Sequence, residues 1–457
     1  MDVPVETRSP DPDAPPRSVQ DRATAEAFAA RLTGAGFPAQ AQPVRQPRVA
    51  DVSAGVIGYR VRLRTTFPTQ EAATAEVARV TAAGFSGRAW YSGWDGGSAA
   101  RGPWTVNVVT VNPRQFRGTL RGTFGPTLAD REKTTQLAAL TRAKVALNAG
   151  FFVFDPKAGA EGDPAGAGVY RGRLLSEPVG RRPVLVLHDG AQQSEIVRPS
   201  WSGVVQLSAR TARVLDGINR VPGLIRNCGG TRDDVVTWRP LHDVTCTDDD
   251  EMVLFTRAFG RTTPSGPGAE AILDRSGRVV SVQPSRGAAL GADQRSLQAT
   301  GNLAPAVAAL RPGHQVRASL TLRSGARRLT GQGTTVINGG PLLMQRGAVH
   351  ITQRRDGMHH EDEPSFDYGW FLQRNPRTFA GIDARGRTLF VTVDGRQPGE
   401  LGLSIPETAA VAKSLGMTEA INLDGGGSTA MVIRGSLISH PSDASGERAV
   451  GDAIIIR

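Results

Sequence analysis

Lysine is almost missing from this chain. Lys133, Lys144, Lys157 and Lys413 are all there is, although the formal net charge is +11. The positive charge comes from arginines scattered along the whole length. No basic block is interleaved with aromatics as a stacking platform for single strands requires, so no nucleic-acid partner is expected; an anionic substrate or a cell-wall polyanion suits the charge. No apolar run approaches the roughly 18 to 20 residues of a membrane span. The opening residues, Met1 to Asp13, lack the basic and apolar regions of a signal peptide, which leaves a cytoplasmic protein or one whose export signal has been trimmed. Cysteine is scarce too: Cys228 and Cys246 have no second pair with which to complete a zinc site. A disulfide between them would contribute about 3 kcal/mol in the chain-entropy model. It would also imply an oxidising compartment, so the expectation is a secreted or cell-envelope protein with its export signal absent from this chain. No Gly-Lys-Ser/Thr follows the glycine run near the C-terminus, and Ser428 has no Gly-x-Ser-x-Gly elbow around it. A nucleotide-phosphate loop and a serine nucleophile are thereby disfavoured.

What is present suits a loop-rich globular protein: 457 residues, 39% hydrophobic, with 54 Gly and 30 Pro. About two or three domains are expected at this length. Residues 1–17, rich in proline and acid, read as a disordered tail or tether. An alanine-rich helical stretch ending in Ala35-Gly36-Phe37 is echoed by a second ending in Ala83-Gly84-Phe85, each with a glycine where a helix would stop. Between them Gly58 to Thr65 alternates apolar and basic residues as a strand with one solvated face does. Two strand-helix-strand halves make a compact module over residues 18–95. The repeat, the Tyr59-Arg-Val-Arg-Leu63 strand and the Ala-Gly-Phe endings resemble the SPOR domain, which implies a ferredoxin-like fold that binds peptidoglycan glycan strands.

Residues 96–142 read as a linker and the first strands of a second, catalytic region, and residues 143–457 as its main domain. Many short strands punctuated by Gly and Pro argue for a large antiparallel or mixed sheet rather than βαβ repeats. The fold class is therefore α+β: a ferredoxin-like module followed by a larger mixed-sheet α+β domain.

Four strand ends in that larger domain carry a hydrogen-bonding group beside glycine: Asn148, Asn338, Asp394 and Asp424. Each alone could be capping its own turn. Together, with Arg377 and Arg396 nearby, they read as a pocket, because loops on a rigid β scaffold position functional groups. The stretch Asn422-Leu-Asp-Gly-Gly-Gly-Ser-Thr-Ala430 is the focus: a half-buried strand delivers Asp424 to a turn whose glycines permit close approach to a ligand.

Asn148-Ala-Gly-Phe-Phe152, Asn338-Gly-Gly-Pro341, Asn375-Pro-Arg-Thr378, Thr392-Val-Asp-Gly-Arg-Gln397, the Asn422 to Ala430 run and the Pro441 to Asp452 ending together resemble the phosphodiester glycosidase family. The resemblance implies hydrolytic removal of a sugar from a sugar-1-phosphodiester. On residue type, Asp424 is assigned to activate water or attack the anomeric carbon, with Asp394 as its acid/base partner or a sugar ligand. Arg377 is assigned a bidentate hold on phosphate, with Arg396 as a second cation. Gly425, Gly426, Gly427, Ser428 and Thr429 would receive the phosphate, while Asn148, Asn338, Gly339 and Thr378 would orient substrate oxygens. No cofactor is required by these residues. A divalent cation is a possible addition with no ligand set identified, and the acidic loop Met358 to Glu363 reads as solvated rather than metal-binding. Two alternatives stand beside the glycosidase: a metal-dependent phosphodiesterase that cleaves P–O, and a cell-wall glycan-binding protein without catalysis.

Overall fold

The computed structural model describes residues 4–5, 18–98, 100, 102–180, 182–226, 233–237, 246–397 and 399–457. The expected tail therefore lies outside the described residues, except that Pro4–Val5 pairs antiparallel with the strand Gly55–Leu63. Cys246 is disulfide-bonded, and Cys228 lies outside the described residues. No described helix is long and apolar enough to cross a membrane.

The N-terminal module forms as its repeat predicts. Helices Arg22–Gly34 and Gln70–Ala82 start where Asp21 and Thr69 accept the amides of Thr24 and Ala72, at 2.9 and 3.2 Å, so orphan donors of the first turn are satisfied. The strands Ala39–Gln46 and Gly55–Leu63 pair antiparallel. One sheet face buries Val61 and Leu63 against Ala25, Leu32 and Val80 of the helices.

The opposite face is not solvated. Arg60 and Arg62 reach Asp95 at 2.8 and 2.9 Å, Asp95 accepts from the Tyr368 hydroxyl at 2.9 Å, and Val19 and Val44 enter a core with Ile351 and Phe371. Basic residues that read as water-facing are instead neutralised by a carboxylate at the domain junction. The module is packed onto the larger domain.

That domain is built mostly of antiparallel strands. A six-stranded sheet has the order Ala348–Val349, Leu342–Gln345, Met417–Asn422, Arg377–Asp383, Thr388–Val393, Val106–Val111. A five-stranded sheet follows the order Ser436–Leu437, Met431–Ile433, Val145–Asn148, Ala453–Ile456, Leu120–Thr123. Residues 96–142 thus supply edge strands to both sheets. Ala380, Phe390 and Ile421 from the first sheet and Leu147 and Ile454 from the second share one core. Phe390 is fully buried there, and truncating it to alanine is expected to cost about 3–5 kcal/mol. Between Ser200 and Arg328 the chain builds a four-stranded and a five-stranded sheet around a core of its own, centred on Leu254, Leu273 and Leu297, together with a small two-stranded ladder.

Candidate active site

The two sheets diverge at the end of the Met417–Asn422 strand. Beyond it the Leu423 amide donates to the Thr378 carbonyl and the Asp424 amide to the Ala149 carbonyl, both at 2.9 Å. Asp424 is therefore pinned between strands from different sheets. Gly426 then takes φ = +60°, a left-handed conformation that glycine adopts without strain. A Cβ on Gly425 would lie 2.9 Å from the Pro376 carbonyl, and one on Gly427 would lie 2.4 Å from the Arg448 guanidinium carbon. The glycines serve close packing of the turn.

Around this turn lies a cavity of about 630 Å³. Asp424 is the one carboxylate among its described lining residues, facing Arg88, Arg182, Arg374, Arg377, Arg396 and Arg448. Burial pushes the Asp424 carboxyl up to about 7, against the opposing pull of a Ser428 hydrogen bond and the Arg448 charge. Burial and the neighbouring Arg396 draw Arg377 down to about 9; burial and Arg448 likewise lower Arg396. Neighbouring cations that depress one another leave the cavity wall short of negative charge.

Not all six arginines are available. Arg374 is spent on Glu407 and on the carbonyls of Gly93 and Ala100. Arg377 donates through Nε to Leu403 O at 2.8 Å and through Nη2 to Trp370 O and Gln373 O. The bidentate hold expected of Arg377 is thus corrected: two of its three nitrogens brace the backbone behind the cavity, and Nη1 remains. Arg396 commits only Nε, to Asn375 at 3.1 Å. Arg448 leans on Asp443 through Nε and Nη2 and lies over the Phe154 ring. Arg396 thus keeps more of its donors free toward the cavity than Arg377 or Arg448 does.

Several other expectations need correction. Asn148 is fully buried; its amide donates to the Asp424 carbonyl at 2.6 Å, and its oxygen accepts from Thr378 Oγ1 and the Ala430 amide. Asn338 is buried with both amide atoms on the backbone of Phe151. Asn148, Asn338 and Thr378 therefore brace the surrounding backbone and are not among the residues lining the cavity. Gly339 is walled in by the Asn422 carbonyl, 2.6 Å from where its Cβ would stand. The Gly425 amide is used by Asp424 Oδ1 and the Gly426 amide by the Pro376 carbonyl, so these two do not form an open phosphate cradle. Ser428 lines the cavity, whereas Gly427 and Thr429 do not.

Asp394 is the largest departure. It follows the last residue of the Thr388–Val393 strand, is fully buried, and lies outside the cavity beside Glu400 and His440. The acid/base pairing with Asp424 expected of it therefore gains no support from the cavity lining. The acidic loop is solvated at Glu361 and Asp362, whereas Met358 is buried in the cavity wall and His359 Nδ1 lies 2.5 Å from Asp367 Oδ2.

Sequence reasoning missed the aromatic wall. Phe366 and Trp370 stack with ring centroids 6.2 Å apart, Phe151 tilts against Trp370, and Trp90 and Trp94 close the rim. It also missed Asn422, whose buried Oδ1 has no partner. Arg448 stands in the Pro441 to Asp452 ending, but nothing in its spacing points inward.

Comparison with known proteins agrees with this layout. A family model described as phosphodiester glycosidase matches residues 267–457, and one described as SPOR domain matches residues 17–88. N-acetylglucosamine-1-phosphodiester alpha-N-acetylglucosaminidase from Bos taurus is 31% identical over 109 residues, 24% of this chain and 20% of that protein. The matched stretch is thus about a fifth of that relative's own length. The crystal structure of a putative exported protein from Burkholderia pseudomallei superposes with a TM-score of 0.86 at 30% identity, covering 100% of this chain and 91% of that one. A hypothetical protein from Synechocystis shares the fold at 21% identity and a TM-score of 0.58, over 77% of this chain and 59% of its own.

Proposed function

Because the chain belongs to the phosphodiester glycosidase family and carries a SPOR domain ahead of the matched region, we propose that it hydrolyses a glycosyl-1-phosphodiester. The sugar is released from the phosphate, and the SPOR module holds the enzyme on peptidoglycan in the cell envelope or outside the cell. One observation carries the catalytic reading: a single carboxylate faces several arginines in an aromatic-lined cavity. The aromatic faces of Trp370 and Phe151 suit a sugar ring, and Arg396 and Arg448 suit the phosphate.

In the reaction, a water oxygen bonds to the anomeric carbon while its proton passes to Asp424. The bond from the anomeric carbon to the phosphate oxygen breaks, and the phosphate leaves with the electron pair. That leaving group is already a stabilised anion, so it needs little of the protonation an ordinary glycoside requires. A site with one acid is sufficient for it. Direct attack by Asp424, with later hydrolysis of the glycosyl ester, uses the same carboxylate.

P–O cleavage through a bound metal is less well supported by these residues. The described cavity lining offers one carboxylate and no histidine, a poor donor set for a divalent ion among so many cations. The test is turnover of UDP-N-acetylglucosamine and of a simple α-glycosyl phosphodiester by the wild type and Asp424→Asn. A variant retaining more than about a tenth of the activity, where general acid–base groups are normally worth about 10²–10⁴, would remove Asp424 from the mechanism.

A further inference from the structure

The buried carboxylate that the catalytic cavity does not use has a setting of its own. Asp394 ends one strand of the six-stranded sheet, with its amide on the Thr105 carbonyl at 3.1 Å. Glu400 comes from the following turn, where Gln397 and Glu400 exchange backbone hydrogen bonds. His440 comes from a distant loop and places Nδ1 2.6 Å from Glu400 Oε1 and 3.6 Å from Asp394 Oδ2. One ligand atom from each of the three residues lies within 4.8 Å of the others.

A protonated histidine paired with Glu400 does not account for the cluster. Asp394 is fully buried, yet neither of its carboxylate oxygens has a hydrogen-bond partner, and Glu400 Oε2 is buried without one as well. Thr105 Oγ1 donates to Glu400 Oε1, the same oxygen that faces the imidazole. Both Asp394 oxygens and Glu400 Oε2 thus remain without a hydrogen bond, each leaving the desolvation cost that an unpaired buried acceptor carries. A cation there would satisfy them together.

We propose that Asp394, Glu400 and His440 form a site for one divalent ion of the zinc or manganese class, separate from the catalytic cavity. Two carboxylates balance the ion's charge, and a nitrogen donor favours these metals over calcium or magnesium, which take oxygen ligands. His440 is exposed on its outer side, so the ion would be reached from that side. The ion would tie together two loops that shape the cavity. One runs from Asp394 to Glu400 and carries Arg396; the other continues from His440 to Asp443, which accepts Arg448 Nε at 2.7 Å. The site is a clip behind the anion-binding wall.

The test is calorimetric titration of ZnCl₂ or MnCl₂ into the chelator-treated full chain, with the unfolding temperature measured with and without metal. One ion per chain is expected, with a rise in unfolding temperature on binding. His440→Ala and Asp394→Asn should each weaken binding at least tenfold, since a ligand is lost, while Asp424→Asn should bind like the wild type. No binding by the wild type, or undiminished binding by His440→Ala, overturns the proposal. Should Asp394→Asn fail to fold, His440→Ala, altered at an exposed side chain, still decides the matter.

Discussion

Arg220 and the cavity arginines are buried in the same chain and handled in opposite ways. Arg220 donates to Glu177 at 2.7 Å, to Glu251 at 2.8 Å and to the Asp216 carbonyl. Burial alone would lower its pKa, but Glu251 and Glu177 outweigh that and hold it well above the ordinary value. Glu177 in turn accepts the Ile218 amide. Around Arg377 and Arg396 the balance goes the other way: burial and neighbouring cations lower both, and the carboxylate among them is pushed up to about 7. The first cluster is complete without a ligand. The second is left short of negative charge, and that deficit is where the anionic substrate proposed above would add most.

Changes in the two clusters should therefore separate folding from turnover. The largest effect is expected from Asp424→Asn, with kcat falling roughly 10³-fold or more and the fold retained by circular dichroism. Next comes Arg220→Met, which strands two buried carboxylates. It should cost about 3–5 kcal/mol in urea unfolding while leaving the KM of the folded fraction unchanged. Arg396→Gln should lower kcat/KM about ten- to hundredfold, the worth of a charged hydrogen bond, without lowering the unfolding temperature. If Arg396→Gln unfolds the protein and Arg220→Met abolishes turnover in folded protein, the contrast is wrong.

The smallest effect concerns pH. A carboxylate whose folded pKa is raised binds its proton more tightly in the native state, so its contribution to stability falls as pH rises from the ordinary value of 3.8 through about 7. Asp424→Asn should raise the unfolding temperature at pH 8 by a few degrees and change it little at pH 4. Wild-type kcat/KM should climb as pH passes through about 7, because the ionised form is the reactive one.

The α+β layout, the repeat and the strand that runs into the glycine turn at Asp424 were legible because they rest on local patterns: alternation, helical spacing, and a strand running into glycines. The roles of Asn148 and Asn338 were not. Both read as substrate ligands from residue type, yet each is satisfied by backbone far away in sequence, at Asp424 and Phe151. Asp394 misled for a related reason. It ends a strand in the same sheet as Asp424, but its neighbours are Glu400 and His440, and no spacing tells which side of a sheet edge a side chain will find. Arg60 and Arg62 looked solvated because alternation reports that a face is polar, not that Asp95 and Tyr368 will cover it.

The most direct test of the central claim is hydrolysis of an α-glycosyl phosphodiester in oxygen-18 water, with the label located by mass spectrometry. Attack at the anomeric carbon, through Asp424, predicts label on the released sugar and none on phosphate. Label on the phosphate would mean P–O cleavage and would contradict the account.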